Sequence, residues 1–460
     1  MGAPSRMATV ELLEVPASPP RGPEAPARGP RSRRRVPAWL LGVLVLGLLG
    51  GAIGSTELRG RAARAEARER LVAAGTFLAD VGPGVRVRWR ETGPRAEVLA
   101  VADGVVVTIS ESHDAQLLVA RSLETGVELW RSTFALRLGS SRCLAPERSG
   151  EAAVLVCALR ARPRIPGRDE GGTSLHVREL GSGELLAERR AAEALVGARL
   201  VDGDLVGAWF SSGSLEVRRE DAVTGERRWS VPLELLEELG SPSAAQAHGV
   251  AGQLVVATDR EAFAVSEDGS VALERRIAPP RQARRSEVLP LAGGLFVVTG
   301  SRERAHSELV DADGRVRLAA IGVPLPLLAD DGSLGPVVLA DHPDGDLLWQ
   351  AERREKLWRG STATEAGIVT GGVLAVESPL GVRVMDPRRR VPLWTDPEAR
   401  LVGVGRQLVT LSGGALVGTE APTGLKIWRE PVELAEGARL VVVGGELFAL
   451  EPGSIAHLGS

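Results

Sequence analysis

Three stretches set the same residue types at the same spacing: TGVELW (125–130), TGERRW (224–229) and TGLKIW (423–428). Asp221 and Glu420 each stand four residues before the Gly of their copy, and Glu179 and Asp386 hold the same place before Gly183 and Arg390. A stacking ring beside a carboxylate is raw material for a ligand site. The same set also builds a tight connection between two strands. The carboxylate accepts backbone N–H groups in the turn, Gly takes a positive φ, and Thr caps what remains. The Trp then projects from an outer strand and docks on a neighbouring unit. Recurrence favours the joint over the site. The expected docking residues are Trp89, Trp130, Trp229, Trp358, Trp394 and Trp428, with Gly126, Gly225 and Gly424 in the turns.

Other groups offer little chemistry. The six histidines (His113, His176, His248, His306, His342, His457) are scattered without an i,i+4 pair or a Cys partner, so no zinc site is expected. Gly-rich pieces such as LAGGLFV and LSGGALVG lack the phosphate-cradling G-x-x-x-x-G-K-[ST] pattern and read as hairpin turns. DADG (311–314) lacks the further oxygens of a calcium loop and reads as a β-turn. Arginine runs such as RQARR (281–285) and PRRR (387–390) are solvated loop charges, or a patch for an anionic partner. The two cysteines, Cys143 and Cys157, flank a hairpin centred on Gly150. A symmetric antiparallel hairpin sets them opposite each other, close enough to bridge. We expect a disulfide and an oxidising compartment, the alternative being two buried thiols.

From about residue 85 the sequence reads as strands. Short β-prone runs alternate with Gly, Asp and Ser turns, as in VLAVADGVVVTIS (98–110) and ARLVVVGGELFALE (438–451). Weaker motif copies, ELGSGELLAERR (179–190), SEDGSVALERR (266–276) and DADGRVRLAA (311–320), lack the Trp. Trp-equivalent positions then fall at 130, 187, 229, 273, 318, 358, 394 and 428, with intervals between 34 and 57 residues. An array of this period with about four strands per unit signals a β-propeller.

The pattern A-x-D-x-x-T-G-x-x-x-W resembles the tryptophan-docking motif of the PQQ-like (quinoprotein-like) β-propeller superfamily, over roughly residues 85–460. That resemblance implies an all-β fold of eight four-stranded blades whose last blade is completed by an N-terminal strand. VRVRWR (85–90), carrying Trp89, is the candidate beside residues 439–458. Eight internal units plus this strand count to nine blade equivalents; the expectation is eight blades, with seven or nine open.

The quinoprotein dehydrogenases sharing this fold hold PQQ and calcium in the central channel, with a carboxylate base, an Asn or similar oxygen at the metal and two adjacent cysteines. This sequence has no Asn, no adjacent Cys pair and short loops. The expectation is therefore no enzyme, no catalytic or metal residues and no cofactor. The family also includes a lipoprotein that scaffolds outer-membrane protein assembly, whose lipid-anchor cysteine is missing here.

Composition and the N-terminus supply an address. The formal net charge is −3, so no global field favours nucleic acid. Only Lys356 and Lys426 are lysines among 56 basic residues, and Asn and Tyr are absent, which points to a GC-rich genome of the actinobacterial kind. Residues 1–35 are a Pro- and Arg-rich tail with too few apolar side chains to offset its chain entropy. Residues 36–54 (VPAWLLGVLVLGLLGGAIG) carry no charge and span about 28 Å as a helix, enough for one membrane crossing. We expect a retained anchor rather than a cleaved or twin-arginine export signal. Residues 55–84 read as a helical stalk or linker and 85–460 as the propeller.

Arg31, Arg33, Arg34 and Arg35 before the span nearly balance Arg59, Arg61, Arg64, Arg68 and Arg70 after it. The tighter cluster favours a cytoplasmic N-terminus and an extracytoplasmic propeller at the plasma membrane. The functional expectation is a non-catalytic scaffold that binds a protein or an envelope polymer. The alternatives are a quinoprotein oxidoreductase with an atypical site, and a single-span sensor coupled to the tail. Alkaline washing of membranes checks the address: the full chain stays in the pellet, and deleting 36–54 releases it.

Overall fold

Central strands here are continuous apolar runs buried on both faces, whereas outermost strands alternate. In one sheet Asp204–Ser211 (DLVGAWFS) is buried along nearly its whole length, and Arg227–Leu233 (RRWSVPL) alternates between exposed and half-buried positions. That contrast is what a stack of sheets requires: inner strands covered by the next sheet, the last one facing water. The computed structural model describes residues 65–460 apart from 66–67, 69–70, 73–75, 80, 94–95, 112–114, 136–139, 146–153, 161–171, 243–244, 251, 259, 277–286, 292–293, 300–306, 320, 343–344 and 361–362. The tail and the 36–54 span lie outside these residues. Among the described residues no helix is long and apolar enough to cross a membrane.

The described chain forms nine antiparallel blades in sequence order: 96–135, 140–191, 194–233, 246–276, 287–318, 323–359, 366–396, 399–431 and 439–459. The last has only three strands of its own. Arg86–Thr92 supplies its fourth, pairing antiparallel with Ser454–Gly459. The expected closing strand is therefore present, and the expected count of eight is corrected to nine. Eight motif copies and one closing strand each mark a blade.

The core divides accordingly. Nine apolar clusters each lie between two consecutive blades. The cluster of Trp89, Val106, Phe448 and Ile455 joins blade 9 to blade 1 and closes the ring.

Two departures from the repeat matter below. The first strand of blade 6 stops after Val323–Pro324, where Pro324 and Pro326 remove backbone donors. The chain then crosses, and Leu327–Asp330 pairs in parallel with Ala366–Thr370 of blade 7. Asp331 Oδ2 accepts the Gly371 N–H at 2.6 Å and secures the crossing. The second departure lies ahead of the closing strand. Leu71 and Phe77 enter the seam between blades 7 and 8, and Leu78, Val81 and Val85 enter that between blades 8 and 9. The Leu78 N–H donates to Val404 O at 2.9 Å. Residues placed in the linker on sequence grounds thus contribute to the propeller core. Phe77→Ala should lower stability by about 3 kcal/mol, read as a shift of the urea midpoint.

Candidate functional site

The motif turns share one construction. Gly126, Gly183, Gly225 and Gly424 donate their N–H to the carbonyl four residues back, at 2.8–2.9 Å. All four have φ between 71° and 77°, the left-handed region that excludes most side chains. The preceding Thr or Ser hydroxyl accepts the N–H that follows the Gly, as in Thr224 Oγ1 from Glu226 N at 3.2 Å. Asp221 Oδ1 accepts from Thr224 N at 2.7 Å and Val223 N at 3.0 Å. The Thr224 bond is the chief reason its carboxyl is held below the usual carboxylate range. DADG makes a tighter turn: Gly314 donates its N–H to Asp311 O, three residues back, at 2.9 Å, and Asp311 Oδ1 accepts from Arg315 N at 2.8 Å.

After each turn the outer strand carries one extra residue, immediately before the Trp-equivalent position. Trp130 faces Ala120 while Glu128 faces Arg121, leaving Leu129 as the bulge. The same shift recurs in all nine blades, including Arg88 before Trp89. A bulge at this point re-aims the following side chain.

Four tryptophans reach the next blade's turn. A Cβ added at Gly126 would stand 2.7 Å from the Trp89 ring; the equivalent distances are 2.5 Å for Gly183 and Trp130, 3.0 Å for Gly269 and Trp229, and 2.8 Å for Gly424 and Trp394. Each indole also donates Nε1–H to a carbonyl of that turn: Leu123, Leu180, Glu267 and Ala421, at 2.7–3.1 Å. Ala187 and Leu273 cannot do this. Two residues further along the same strands, Arg189 reaches Gly225 and pairs with Glu220 at 2.9 Å, and Arg275 pairs with Glu308 at 2.8 Å and donates to Gly314 O. Sequence reasoning missed these stand-ins, although the basic residue at a fixed offset was visible.

Trp428 and Trp358 do otherwise. Blade 9 has no turn between its third and outer strands, because those strands come from opposite ends of the chain. Trp428 therefore lies over Gly418 of its own sheet, with Nε1 3.4 Å from Gln407 Oε1. For Trp358 the turn exists, but Arg390 occupies the Gly position, at φ 59°. Its Cβ stands where the other turns leave the ring room. Trp358 instead closes on Gly360 of its own blade.

The interrupted joint is open. A cavity of about 500 Å³ between blades 6 and 7 is lined by Lys356, Trp358, Arg359, Arg383, Met385, Arg390, Val391 and Pro392. Four linings are cationic, four apolar, and none is acidic. Arg390 bridges the two walls, donating Nη2–H to Lys356 O at 3.1 Å.

Elsewhere the titratable groups are tied into structure. Cys143 and Cys157 are directly opposed in blade 2 and joined by a disulfide. His457 is fully buried beneath Trp89 and Phe448, with Nε2 3.0 Å from Glu446. His176 lines a second groove of about 570 Å³ with Thr133, Phe134, Ser174, Glu188 and Arg190, and burial lowers its pKa. Among the described residues no three His, Cys, Asp or Glu side chains gather as a metal site.

Residues 118–304 match a family model described as "Outer membrane protein assembly factor BamB". This chain folds as a PQQ-like β-propeller. No curated protein matches it. Among solved structures, the PQQ-like propeller is similar to BamB from Moraxella catarrhalis, with 13% identity, 82% of this chain and 100% of that chain covered, and a TM-score of 0.44. It is also similar to the quinohemoprotein alcohol dehydrogenase ADHIIG from Pseudomonas putida HK5, at 14% identity, 82% and 76% coverage and a TM-score of 0.39. Sqt1 from Saccharomyces cerevisiae matches at 11%, with 82% and 99% covered and a TM-score of 0.43. At such identities no site residue transfers from these structures.

The joint itself is testable in the PQQ-like propeller by two glycines of blade 1 with similar φ. Gly104 (φ 73°) has open space where a Cβ would be, whereas Gly126 (φ 71°) faces Trp89. Gly104→Ala should cost about 1 kcal/mol through backbone strain alone. Gly126→Ala should cost about 1–3 kcal/mol more as the ring is displaced, read in the urea midpoint and in tryptophan fluorescence.

Proposed function

We propose that this PQQ-like propeller is a non-catalytic scaffold, held at the membrane by residues 36–54 and binding another protein outside the cytoplasm. The observation that carries the reading is the interrupted joint. The repeat fails at Arg390, and the failure leaves a solvent-open cavity that pairs cationic with apolar walls. Such a lining suits a protein partner's surface, which presents both kinds of group. Among the described residues, Asp221, Glu220 and His457 are engaged in a turn, an ion pair and a buried hydrogen bond instead of converging on one point. The family model matched by residues 118–304, that of an outer membrane protein assembly factor, points the same way. The disulfide accords with an oxidising compartment, and the uncharged span with an anchor.

Crosslinking in intact cells tests this reading against a quinoprotein one. The expected result is a discrete set of crosslinked proteins that depends on residues 65–460. The same preparation supplied with PQQ and calcium should show no substrate-dependent dye reduction. Robust dye reduction without a crosslinked partner would overturn the scaffold.

A further inference from the structure

The cavity at the interrupted joint has a chemistry that selects its occupant. Lys356 and Arg359 come from the outer strand of blade 6, Arg383 from the third strand of blade 7, and Arg390 from the turn after it. No carboxylate is among the lining residues; Glu355, outside the lining, forms a long ion pair with Arg390 at 4.0 Å, and Asp386 pairs with Arg389 at 3.6 Å. Lys356 Nζ lies 5.2 Å from the centre of the Trp349 ring and Arg390 pairs with Glu355, yet the lining itself is cationic without a carboxylate and focuses a positive potential that an anion relieves. Arginine's planar fork meets a carboxylate or a phosphate through paired N–H bonds.

The remaining walls decide between those anions. Trp358, Met385, Val391 and Pro392 offer apolar surface within the same volume, and Val391 and Pro392 are exposed. A phosphate polymer satisfies the cations but has nothing to place on that surface. An acidic peptide with an apolar residue beside its carboxylates satisfies both. At about 500 Å³ the cavity falls within the range of small-ligand sites and has room for a few side chains.

We propose that this cavity binds an acidic, partly apolar peptide segment of a partner protein, its carboxylates on Lys356, Arg359, Arg383 and Arg390 and its apolar residue against Trp358 and Pro392. This rests on the protein-binding reading and names the chemistry of the partner.

The test uses the full chain in detergent and fluorescein-labelled peptides of repeating Glu-Glu-Leu-Phe and Gln-Gln-Leu-Phe, with inorganic polyphosphate as a third probe. In anisotropy titrations the Glu peptide should bind, more weakly as salt rises, and the Gln peptide should not. Combining Lys356→Glu with Arg383→Glu should cut affinity for the Glu peptide by at least about tenfold while the urea midpoint stays unchanged. Arg383→Met alone should give a smaller loss, which keeps the test informative if the double variant folds poorly. Equal binding of the Gln peptide, unchanged binding by both variants, or binding of polyphosphate but not the Glu peptide would each overturn the proposal. Crosslinked partners still recovered from cells carrying the double variant sink this inference alone; absence of any crosslinked partner of the unaltered chain sinks the scaffold.

Discussion

An indole face laid against a glycine Cα, with the indole N–H donating to a carbonyl of the same turn, is the contact on which the ring depends. It needs three things together. The turn must take a positive φ without a side chain, the outer strand must carry its extra residue, and the ring must follow directly. Where all three hold, at Trp89, Trp130, Trp229 and Trp394, apolar burial and a directed hydrogen bond fix one blade on the next. The bulge is the invariant part. It recurs in every blade even where the ring has been replaced, so the outer strands keep one geometry while the docking chemistry varies. Arg189 and Arg275 use that freedom, exchanging an aromatic contact for a charge-assisted bond to Glu220 and Glu308.

The same dependence explains why the ring opens where it does. Replacing one glycine with Arg390 does more than remove a contact. It denies Trp358 its place and brings a charge to the seam. On the inner side of the same seam, Pro324 and Pro326 end a strand early and send the chain across to blade 7. Blades 6 and 7 are thus joined by a crossing strand near the axis and left apart at the rim. Leu357, the bulge residue, is buried in this seam, unlike its exposed equivalents Leu129 and Ile427.

Much of this architecture was legible before any coordinates. The eight Trp-equivalent positions all fall on the register shift, including the weak copies at 187, 273 and 318. The cysteine pairing followed from hairpin symmetry. Eight motif copies plus the closing strand already number the nine blades in the sequence; the expectation of eight comes from the usual form of the family that the motif resembles. The arginine stand-ins sit at a fixed offset but are hidden by abundance: among 54 arginines (56 basic residues less two lysines), the offset alone does not single out Arg189 and Arg275. The cavity was half legible. The motif's break at Arg390 was plain, but whether a misplaced Trp leaves a hole or a collapsed seam depends on packing that no spacing reports.

Closure by the N-terminal strand has a mechanical side. Tension applied to the chain ahead of residue 71 runs toward Arg86–Thr92, the strand whose pairing with Ser454–Gly459 closes the ring. Before reaching it, the load meets Leu71, Phe77, Leu78, Val81 and Val85, each wedged between blades, and the Leu78–Val404 hydrogen bond. These residues act as strain relief on a cable, taking up the pull so that the latch beyond them stays shut.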